Sequence, residues 1–435
     1  MSRHNKAGSP APVKSPITMS RHNKAGSPAP VKSPITMSHH NKAGSPGPAG
    51  QRPSSRAPAS TSKSSPSHKY KDYAAVVIDT GTGYTKSGLA GDEKPRSILP
   101  SIVGVPRFRT KESPLYYIGK NIPQRRAEVS THLVMTHGVV TDWDALEMLW
   151  HHIFYTELSV CPEELAVLVT DAPMSPTTNR EKMAELLFEN FEVPAMFIAH
   201  QSLLSVYSYG RTSGLVIGSG YGTSYTSPVH DGYILPHATY RLDIAGNALT
   251  EYLAKLMGES GNPFQKEEME VVCQIKEKCC YIPEDYEAEL NADEKKYLLD
   301  YTLPDRQVIS IGSERFRCPE VLFNPTMLGY PEVGLHAQAV ASVEKCKPER
   351  QADLLSNVLL AGGTTMLRGF SERIKKELQN MEPESKVGIL ASPNRTFSAW
   401  LGGSIVASLN AFQNVWINRQ AYDEKGPFIV HRHIF

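Results

Sequence analysis

The sequence predicts a mixed α/β protein that contains two similar halves and follows a disordered, basic N-terminal tail. Apolar, β-branched runs end in glycine-rich turns at 79–83 and 218–222, and apolar residues at helical spacing lie between these turns, as at Met183 and Leu187. Residues 1–69 differ from this body because they consist largely of short repeats with almost nothing apolar to bury. Alternating strands and helices of this kind are typical of layered α/β folds.

The tail is a tandem repeat of 18 residues. Residues 1–18 recur identically at 19–36, and a degraded third copy begins at Met37. Burial of so few apolar groups cannot offset the entropy lost on ordering, so residues 1–69 are predicted to be disordered. Residues 1–72 carry 12 lysines and arginines but one acid, although the net charge of the whole chain is only +1. Ser-Pro pairs among these basic residues suit proline-directed phosphorylation or a loose contact with an anionic surface; a tandem duplication without function is the alternative.

The composition of the 435-residue chain excludes several classes of protein. Hydrophobic residues make up 40% and charged residues 21%, which excludes wholesale disorder, collagen and coiled coil. No apolar run reaches the roughly 18 residues of a membrane-spanning helix, and the N-terminus has no apolar signal segment, so we expect a soluble intracellular protein. None of the six cysteines forms a CxxC pair, which favours reduced thiols over a zinc site.

The first glycine-rich turn joins two predicted strands. The apolar run 74–79 leads into Asp79-Thr-Gly-Thr-Gly83, and 84–91 returns as the second strand. Glycines in such a turn let backbone N–H groups approach an anion, and Lys86 alternates onto a face from which its ammonium can reach a phosphate. This strand-to-strand turn differs from the Walker loop, which opens a helix. Taken alone, it is equally consistent with a plain hairpin.

The same pattern recurs further along the chain. Residues 214–218 form an apolar run that ends in Gly218-Ser-Gly-Tyr-Gly222, and another extended stretch follows. A third glycine turn, at 361–365, follows the apolar run 357–360 and precedes a helix predicted to start near Ser371. Two strand-turn-strand motifs in one chain indicate duplicated α/β halves that enclose one nucleotide.

These three turns, in this order, resemble those of actin, and the similarity extends from about Ala74 to Phe435. The segments that carry it are Ile102-Val-Gly, His137-Gly-Val-Val, Asn179-Arg-Glu-Lys-Met, Gly210-Arg-Thr-Ser-Gly, Arg241-Leu-Asp-Ile-Ala-Gly246, Ile275-Lys-Glu-Lys-Cys-Cys-Tyr281, Glu314-Arg-Phe-Arg-Cys-Pro-Glu320 and Trp400-Leu-Gly-Gly-Ser-Ile405. Together they are far more specific than a single glycine motif. Within the family, the Pro/Ser-rich N-terminal segment and the segments at 175–179 and 205–210 look most like the actin-like proteins of the sperm head.

The resemblance implies an actin-like duplicated ATPase fold, in which two lobes made of four subdomains enclose a nucleotide. The disordered tail would occupy 1–69 and the actin-like domain 70–435. Matching motifs would divide the domain into subdomain 1 at 72–100, 138–208 and 398–435, subdomain 2 at 101–137, subdomain 3 at 209–244 and 331–397, and subdomain 4 at 245–330.

The resemblance also implies a binding site for ATP or ADP with Mg²⁺. Gln201 would lie where actin orients the attacking water, and Asp79 would hold the metal through water. The residues that would contact the nucleotide are Asp79, Gly81, Thr82, Gly83, Lys86, Ser219, Gly220, Gly222, Lys276, Glu277, Gly363 and Thr364.

Several positions depart from actin and bear on the chemistry. Gly218 and Tyr221 replace two aspartates of actin's second phosphate loop, Tyr225 replaces a histidine beside the attacking water, and Cys273 and Thr396 replace an arginine and a lysine at the nucleoside edge. Mg²⁺ is commonly held through waters on carboxylates, and Asp79 is left nearly alone for that task. A phenol cannot exchange a proton at neutral pH as imidazole does. We therefore expect weak nucleotide binding with little or no hydrolysis, and we expect Gly218→Asp with Tyr221→Asp to raise hydrolysis.

Two regions bear on assembly. The loop at 107–119 looks shorter than in actin and carries charges and a proline where actin's loop inserts into the next subunit, so self-polymerisation would lose an anchor. The cleft between subdomains 1 and 3, through which partner proteins would bind, looks better kept. Its apolar lining would be Tyr207, Ile405, Val406, Leu409 and Val415, although helical spacing would equally fit Ile405, Val406 and Leu409 as ordinary core.

These patterns predict a non-catalytic structural or adaptor protein of a specialised cytoskeleton. The expected location is the cytoplasm. A narrower expectation is the perinuclear theca between sperm nucleus and acrosome, with the nucleus as the alternative. Its partners would be proteins, such as actin-like or sperm-head cytoskeletal proteins, and no nucleic acid or membrane spanning is expected. An ATP-hydrolysing, filament-forming actin is the alternative, which Gly218 and Tyr221 disfavour. A nuclear actin-related subunit of a chromatin complex, using the basic tail on nucleic acid, is a third reading.

Overall fold

A computed structural model describes residues 75–108, 113–119, 122 and 128–432. The predicted disordered tail at 1–69 lies outside these residues, and so does part of the loop at 107–119. Within the described part of the chain, no helix is long and apolar enough to cross a membrane. All six cysteines are free thiols.

Short strands make up the sheets of the described chain. In chain order they are β1 Val76–Thr80, β2 Tyr84–Leu89, β3 Ser97–Pro100, β4 Ile102–Pro106, β5 Tyr117–Ile118, β6 Val129–Leu133, β7 Met135–Thr136, β8 Val139–Val140, β9 Ala166–Asp171, β10 Ala195–His200, β11 Gly214–Ser219, β12 Ser224–His230, β13 Tyr233–Ile234, β14 Tyr240–Leu242, β15 Leu299–Thr302, β16 Val308–Ile311, β17 Val358–Ala361, β18 Ile389–Leu390 and β19 Ile417–Asn418. The runs predicted to lead into the three glycine turns are thus confirmed as β1, β11 and β17.

Helices separate many of the strands along the described chain. In chain order they are α1 Trp143–His152, α2 Thr177–Glu185, α3 Gln201–Ser208, α4 Gly246–Glu259, α5 Met269–Cys279, α6 Tyr286–Leu290, α7 Glu314–Glu320, α8 Leu335–Glu344, α9 Pro348–Ser356, α10 Phe370–Met381, α11 Ser398–Ser408 and α12 Arg419–Lys425. The helix predicted near Ser371 is confirmed as α10. The helical spacing around Met183 and Leu187 corresponds to α2 and the π-helical turn that follows it.

Two sheets share the same internal order of strands. The first runs β19-β10-β9-β1-β2-β3, and the second runs β13-β12-β11-β17-β18, with β14 also paired to β12. In each sheet, the strand before the glycine turn pairs antiparallel with the strand after it, as β1 with β2 and β11 with β12. The same strand pairs in parallel with a later strand, as β1 with β9 and β11 with β17. This repetition confirms the duplicated α/β architecture.

Helices α3 and α11 pack tightly against each other, and α3 contacts strands of both sheets. Glycine at 402 permits this close crossing, because a Cβ there would lie 2.5 Å from the carbonyl carbon of Leu204 on α3. The Trp400 indole on α11 donates a hydrogen bond to the Val77 carbonyl of β1, which fixes α11 to the first sheet. This packing sets Gln201, the first residue of α3, beside the glycine turns.

Candidate functional site

A cavity of about 500 Å³ lies at the carboxyl ends of β1, β11 and β17 and reaches helices α3, α5 and α11. Its volume suits a small molecule, and ligands of open α/β sheets bind at this edge. The structure brings every predicted nucleotide-site residue to its wall, namely Asp79, Gly81, Thr82, Gly83, Lys86, Gln201, Ser219, Gly220, Gly222, Lys276, Glu277, Gly363 and Thr364.

Asp79 is buried at the end of β1, and both of its carboxylate oxygens have donors inside the protein. Lys86 Nζ lies 3.1 Å from Oδ2, and the two residues are direct cross-strand partners on β1 and β2. The Thr170 hydroxyl donates to Oδ1 at 2.7 Å, and Gln201 Nε2 donates to the same oxygen at 2.9 Å. The ammonium predicted to reach a phosphate is therefore also the counter-ion of the carboxylate predicted to hold a metal.

Tyr225 fills the space beside Gly218. The two residues are cross-strand partners on β11 and β12, and a Cβ on Gly218 would lie 2.5 Å from Cε1 and 2.7 Å from the hydroxyl of Tyr225. Burial, reinforced by the negative charge of Asp79, raises the pKa of the Tyr225 phenol, so it stays protonated at neutral pH. An aspartate at 218 therefore needs a smaller residue at 225 as well. That this pair of substitutions, Gly218→Asp with Tyr221→Asp, raises hydrolysis stays a prediction, and the contact adds Tyr225 as a third position to change.

The first and second glycine turns touch each other directly. A Cβ on Gly83 would lie 2.6 Å from Cγ of Tyr221, and a Cβ on Gly222 would lie 2.6 Å from the Thr82 hydroxyl. His137 joins the two turns, because its Nδ1 lies 2.8 Å from the Gly222 carbonyl and the following backbone N–H donates to the Thr82 hydroxyl at 2.8 Å. A side chain at position 83 or 222 would push the two turns apart.

The third turn packs against the second through backbone atoms. Gly362 has a φ of 89°, and a Cβ there would lie 2.7 Å from the carbonyl carbon of Ser219. Only glycine meets both demands without strain. The Thr364 hydroxyl donates to the Gly220 carbonyl at 2.6 Å, which ties the third turn to the second.

Lys276 brings a buried ammonium to the cavity. Its Nζ donates to the Gly246 carbonyl and to the Thr250 hydroxyl, each at 2.8 Å. No carboxylate of the described chain forms an ion pair with it. The adjacent Glu277 also lines the cavity, and the Cys273 thiol donates to its carboxylate at 3.6 Å. Because a buried charge without a counter-ion is costly, an anionic ligand in the cavity would stabilise this lysine.

Sequence reasoning missed several residues of the cavity wall. Tyr84 stands near Tyr221, and burial together with nearby acidic groups raises the pKa of each phenol to about 12. Arg395 donates to the carbonyls of Thr365 and Ser392 and adds a third cation to the wall, after Lys86 and Lys276. The apolar residues of the wall that sequence reasoning missed include Ile98, Met366, Leu367, Phe397 and Ala399, and the wall also holds Thr396, which was predicted at the nucleoside edge. Tyr84 was within reach of sequence reasoning because it follows the first turn directly, whereas the apolar residues meet only through packing.

The five predicted cleft residues fall into two groups. Ile405 on α11 is 39% exposed, and Leu409 at the end of that helix is 50% exposed. Tyr207, Val406 and Val415 are partly buried and pack against one shared core cluster. The alternative that Ile405, Val406 and Leu409 are ordinary helix core is wrong for Ile405 and Leu409, because both keep much of their surface in solvent.

Comparison with known proteins agrees with this geometry. The sequence model of the actin family matches residues 70–435. The chain belongs to the actin family. It is similar to actin-like protein 7A of Bos taurus and of Rattus norvegicus, each 44% identical over 368 residues that cover 83% of this chain and 83% of the relative. Actin-like protein 7A of Macaca fascicularis is 43% identical over the same length, which covers 83% of this chain and 84% of the relative.

Actin-family folds typically bind a nucleotide, and the residues of this member fit several parts of one. The three glycine turns bring backbone to the cavity wall, Lys276 supplies a cation, and the apolar wall near Phe397 suits a base. Mg²⁺ fits less well, because Asp79 already has donors on both oxygens and the second turn supplies no carboxylate. The described residues also contain no group of three or more metal-ligating side chains. Metal binding through water at Asp79 stays a prediction.

Proposed function

We propose that this actin-family chain is a structural or adaptor protein of a specialised cytoskeleton, which holds a nucleotide weakly and hydrolyses it at no more than a background rate. The observation that carries the proposal is the Tyr225 ring, which lies where a carboxylate side chain at 218 would have to go. A neutral phenol in that place holds a metal-bound water more weakly than a carboxylate would, and it does not accept a proton at neutral pH.

The surroundings of Gln201 support the same conclusion. Hydrolysis of a phosphoanhydride needs an oriented water and compensation of the charge that develops on the phosphoryl group. Gln201 borders the cavity and is the candidate for orienting water, but its Nε2 is engaged by Asp79. Lys86 is paired to the same carboxylate. The cavity therefore keeps the shape of a nucleotide site, while Asp79, Lys86 and Gln201 interact with one another.

The apolar surface at the end of α11 supports the adaptor role. Ile405 and Leu409 are exposed at this end of α11, while Val406, Val415 and Tyr207 of α3 pack against one core cluster. Exposed apolar side chains on a well-packed helix are typical of protein-binding sites, because burying them against a partner contributes most of the interface energy. We assign protein partners to this surface, including other actin-like or cytoskeletal proteins.

We further propose that this specialised cytoskeleton is that of the sperm head, in the perinuclear theca between nucleus and acrosome. The sequence likeness to sperm-head actin-like proteins supports it. The filament-forming ATPase remains the competing function, since Asp79, Lys86 and Gln201 are retained. A nuclear role would depend on the basic residues at 1–72.

Steady-state release of phosphate from Mg·ATP by the purified full-length chain tests the catalytic part of the proposal. We expect release at the background rate of buffer alone. The matched variant Gly218→Asp/Tyr221→Asp/Tyr225→His restores carboxylates and removes the phenol, and we expect it to release more phosphate than the unmodified chain. Sustained turnover by the unmodified chain would contradict the proposal.

Partner capture tests the adaptor part. Leu409→Asp places a charge on the exposed cleft, and we expect it to reduce binding of co-purifying proteins while the melting temperature stays close to that of the unmodified chain. Leu298→Asp is the matched control, because Leu298 is 47% exposed, close to the 50% of Leu409, and lies outside the cleft. Equal partner recovery with both variants would argue against the cleft.

A further inference from the structure

We infer that the cavity binds a nucleoside di- or triphosphate in its metal-free form, without a divalent cation. The inference rests on the proposed function, because it concerns the same cavity, and it adds the charge state of the ligand. The charged residues of the described wall are three cations, Lys86, Lys276 and Arg395, against two carboxylates, Asp79 and Glu277. This excess of positive charge favours the free nucleotide over its Mg²⁺ complex, because the metal partly neutralises the negative charge of the phosphates.

The carboxylate best placed for a metal already has three donors from the protein. Asp79 Oδ2 has Lys86 Nζ at 3.1 Å, and Oδ1 accepts hydrogen bonds from Thr170 and Gln201 at 2.7 and 2.9 Å. Oδ2 keeps one further acceptor position, but a Mg²⁺ ion held there through water would face the Lys86 ammonium at the same oxygen. Burial makes that repulsion strong, because charges in a low-dielectric interior are poorly screened.

The second turn offers no replacement ligand. The two strands that flank this turn, β11 and β12, carry Gly218 and Tyr225 near the turn. Tyr221, within the turn, lies against Gly83 of the first turn. Neutral phenols bind Mg²⁺ poorly compared with carboxylates, which are the oxygen ligands that hold it in proteins. A metal-bound nucleotide would therefore bring a divalent cation to a second turn that has no carboxylate to receive it.

Two cations of the wall have no carboxylate partner in the described chain. Lys276 Nζ is held by a carbonyl and a hydroxyl, and the Arg395 guanidinium donates to the Thr365 hydroxyl and to the carbonyls of Thr365 and Ser392. Free ATP and ADP carry more negative charge than their Mg²⁺ complexes. Both cations gain more from the free form, because attraction scales with the product of the charges.

Melting curves of the full-length chain provide the test. The chain is heated with millimolar ATP or ADP in excess EDTA, and again with Mg²⁺ in excess over nucleotide. A ligand that binds only the folded state raises stability according to the ratio of free ligand to its Kd. We expect ATP in EDTA to raise the melting temperature at least as much as ATP with excess Mg²⁺. Adenosine and inorganic tripolyphosphate, tested separately in EDTA, show how much the base and the phosphates contribute.

Other outcomes separate the inference from the function on which it rests. A rise that requires Mg²⁺, or no rise with nucleotide in either buffer, overturns the inference and leaves the adaptor role standing. Sustained phosphate release in the Mg²⁺ samples overturns the proposed function itself.

A charge variant gives a second, independent readout. Asp79→Asn keeps an oxygen that accepts from Thr170 and Gln201 but removes the internal counter-ion of Lys86. We expect a given ATP concentration in EDTA to raise the melting temperature of the variant more than that of the unmodified chain, because Lys86 becomes free to meet phosphate. A metal-dependent site would respond in the opposite direction, since the substitution removes its metal-holding carboxylate. A weaker response of this variant to ATP in EDTA would therefore overturn the inference.

Discussion

His200 links the pH dependence of stability to the structure beneath the cavity. It ends β10 directly before Gln201, and its Nε2 lies 2.9 Å from Arg180 Nη2. Arg180 also donates to Asp171 at 2.6 Å. Because a guanidinium can only donate, His200 Nε2 must accept, and the imidazole is neutral. Burial, and then the charge of Arg180, lowers the pKa of His200 to about 4, although Asp171 acts in the opposite direction.

The sign and size of the effect follow from proton linkage. The folded chain binds a proton at His200 more weakly than the unfolded chain does, so the stability that depends on neutral His200 is present above the unfolded pKa of about 6.5. It is lost as the pH falls toward the folded pKa of about 4. Each pH unit below the unfolded pKa costs about 1.4 kcal/mol, so moving from pH ~7.5 to pH ~5 should lower the free energy of unfolding by about 2 kcal/mol through this group alone.

Urea denaturation of the unmodified chain and of His200→Gln, each at the two pH values, isolates this contribution. Glutamine offers Arg180 an amide oxygen as acceptor and does not titrate. The other groups titrate in both proteins, so their contributions to the free energy of unfolding cancel when the two pH-dependent losses are compared. We expect the unmodified chain to lose about 2 kcal/mol more than the variant between the two pH values. Equal losses would refute a buried, neutral His200 beside Arg180.

Three further predictions concern packing and buried charge, each measured by urea or thermal denaturation. Gly402→Ala should cost roughly 1–3 kcal/mol because its Cβ meets the backbone of α3, whereas Gly258→Ala, at a helical position with open space, should be neutral or stabilising by up to about 1 kcal/mol. Gly218→Asp should destabilise by roughly 1–3 kcal/mol, and adding Tyr225→His should recover much of this; no recovery would place the strain elsewhere. Arg373→Met should cost roughly 3–5 kcal/mol because it leaves buried Glu320 without its two hydrogen bonds of 2.9 and 3.1 Å, and further replacement of that glutamate by glutamine should restore part of the loss.

The elements that build the glycine turns were predictable because their signals are local. A short apolar run followed by glycines indicates a buried strand and a turn wherever the rest of the chain lies, and β1, β11 and β17 form where this pattern occurs. Alternation along β2 likewise placed Lys86 on one face. The same alternation could not reveal its ion pair with Asp79, because that contact depends on the register of the hairpin.

The sequence by itself determined membership of the actin family, the duplicated α/β fold and the loss of two aspartates from the second turn, because each of these is written in residue identity and order. Only the tertiary structure decided what occupies the vacated space. Gly218 and Tyr225 become neighbours through strand pairing, and Lys276 meets Gly246 through helix packing. Exposure of Leu409 likewise depends on which surfaces the neighbouring helices cover. Contacts between residues remote in sequence are set by packing of the whole domain, so residue pattern alone leaves them open.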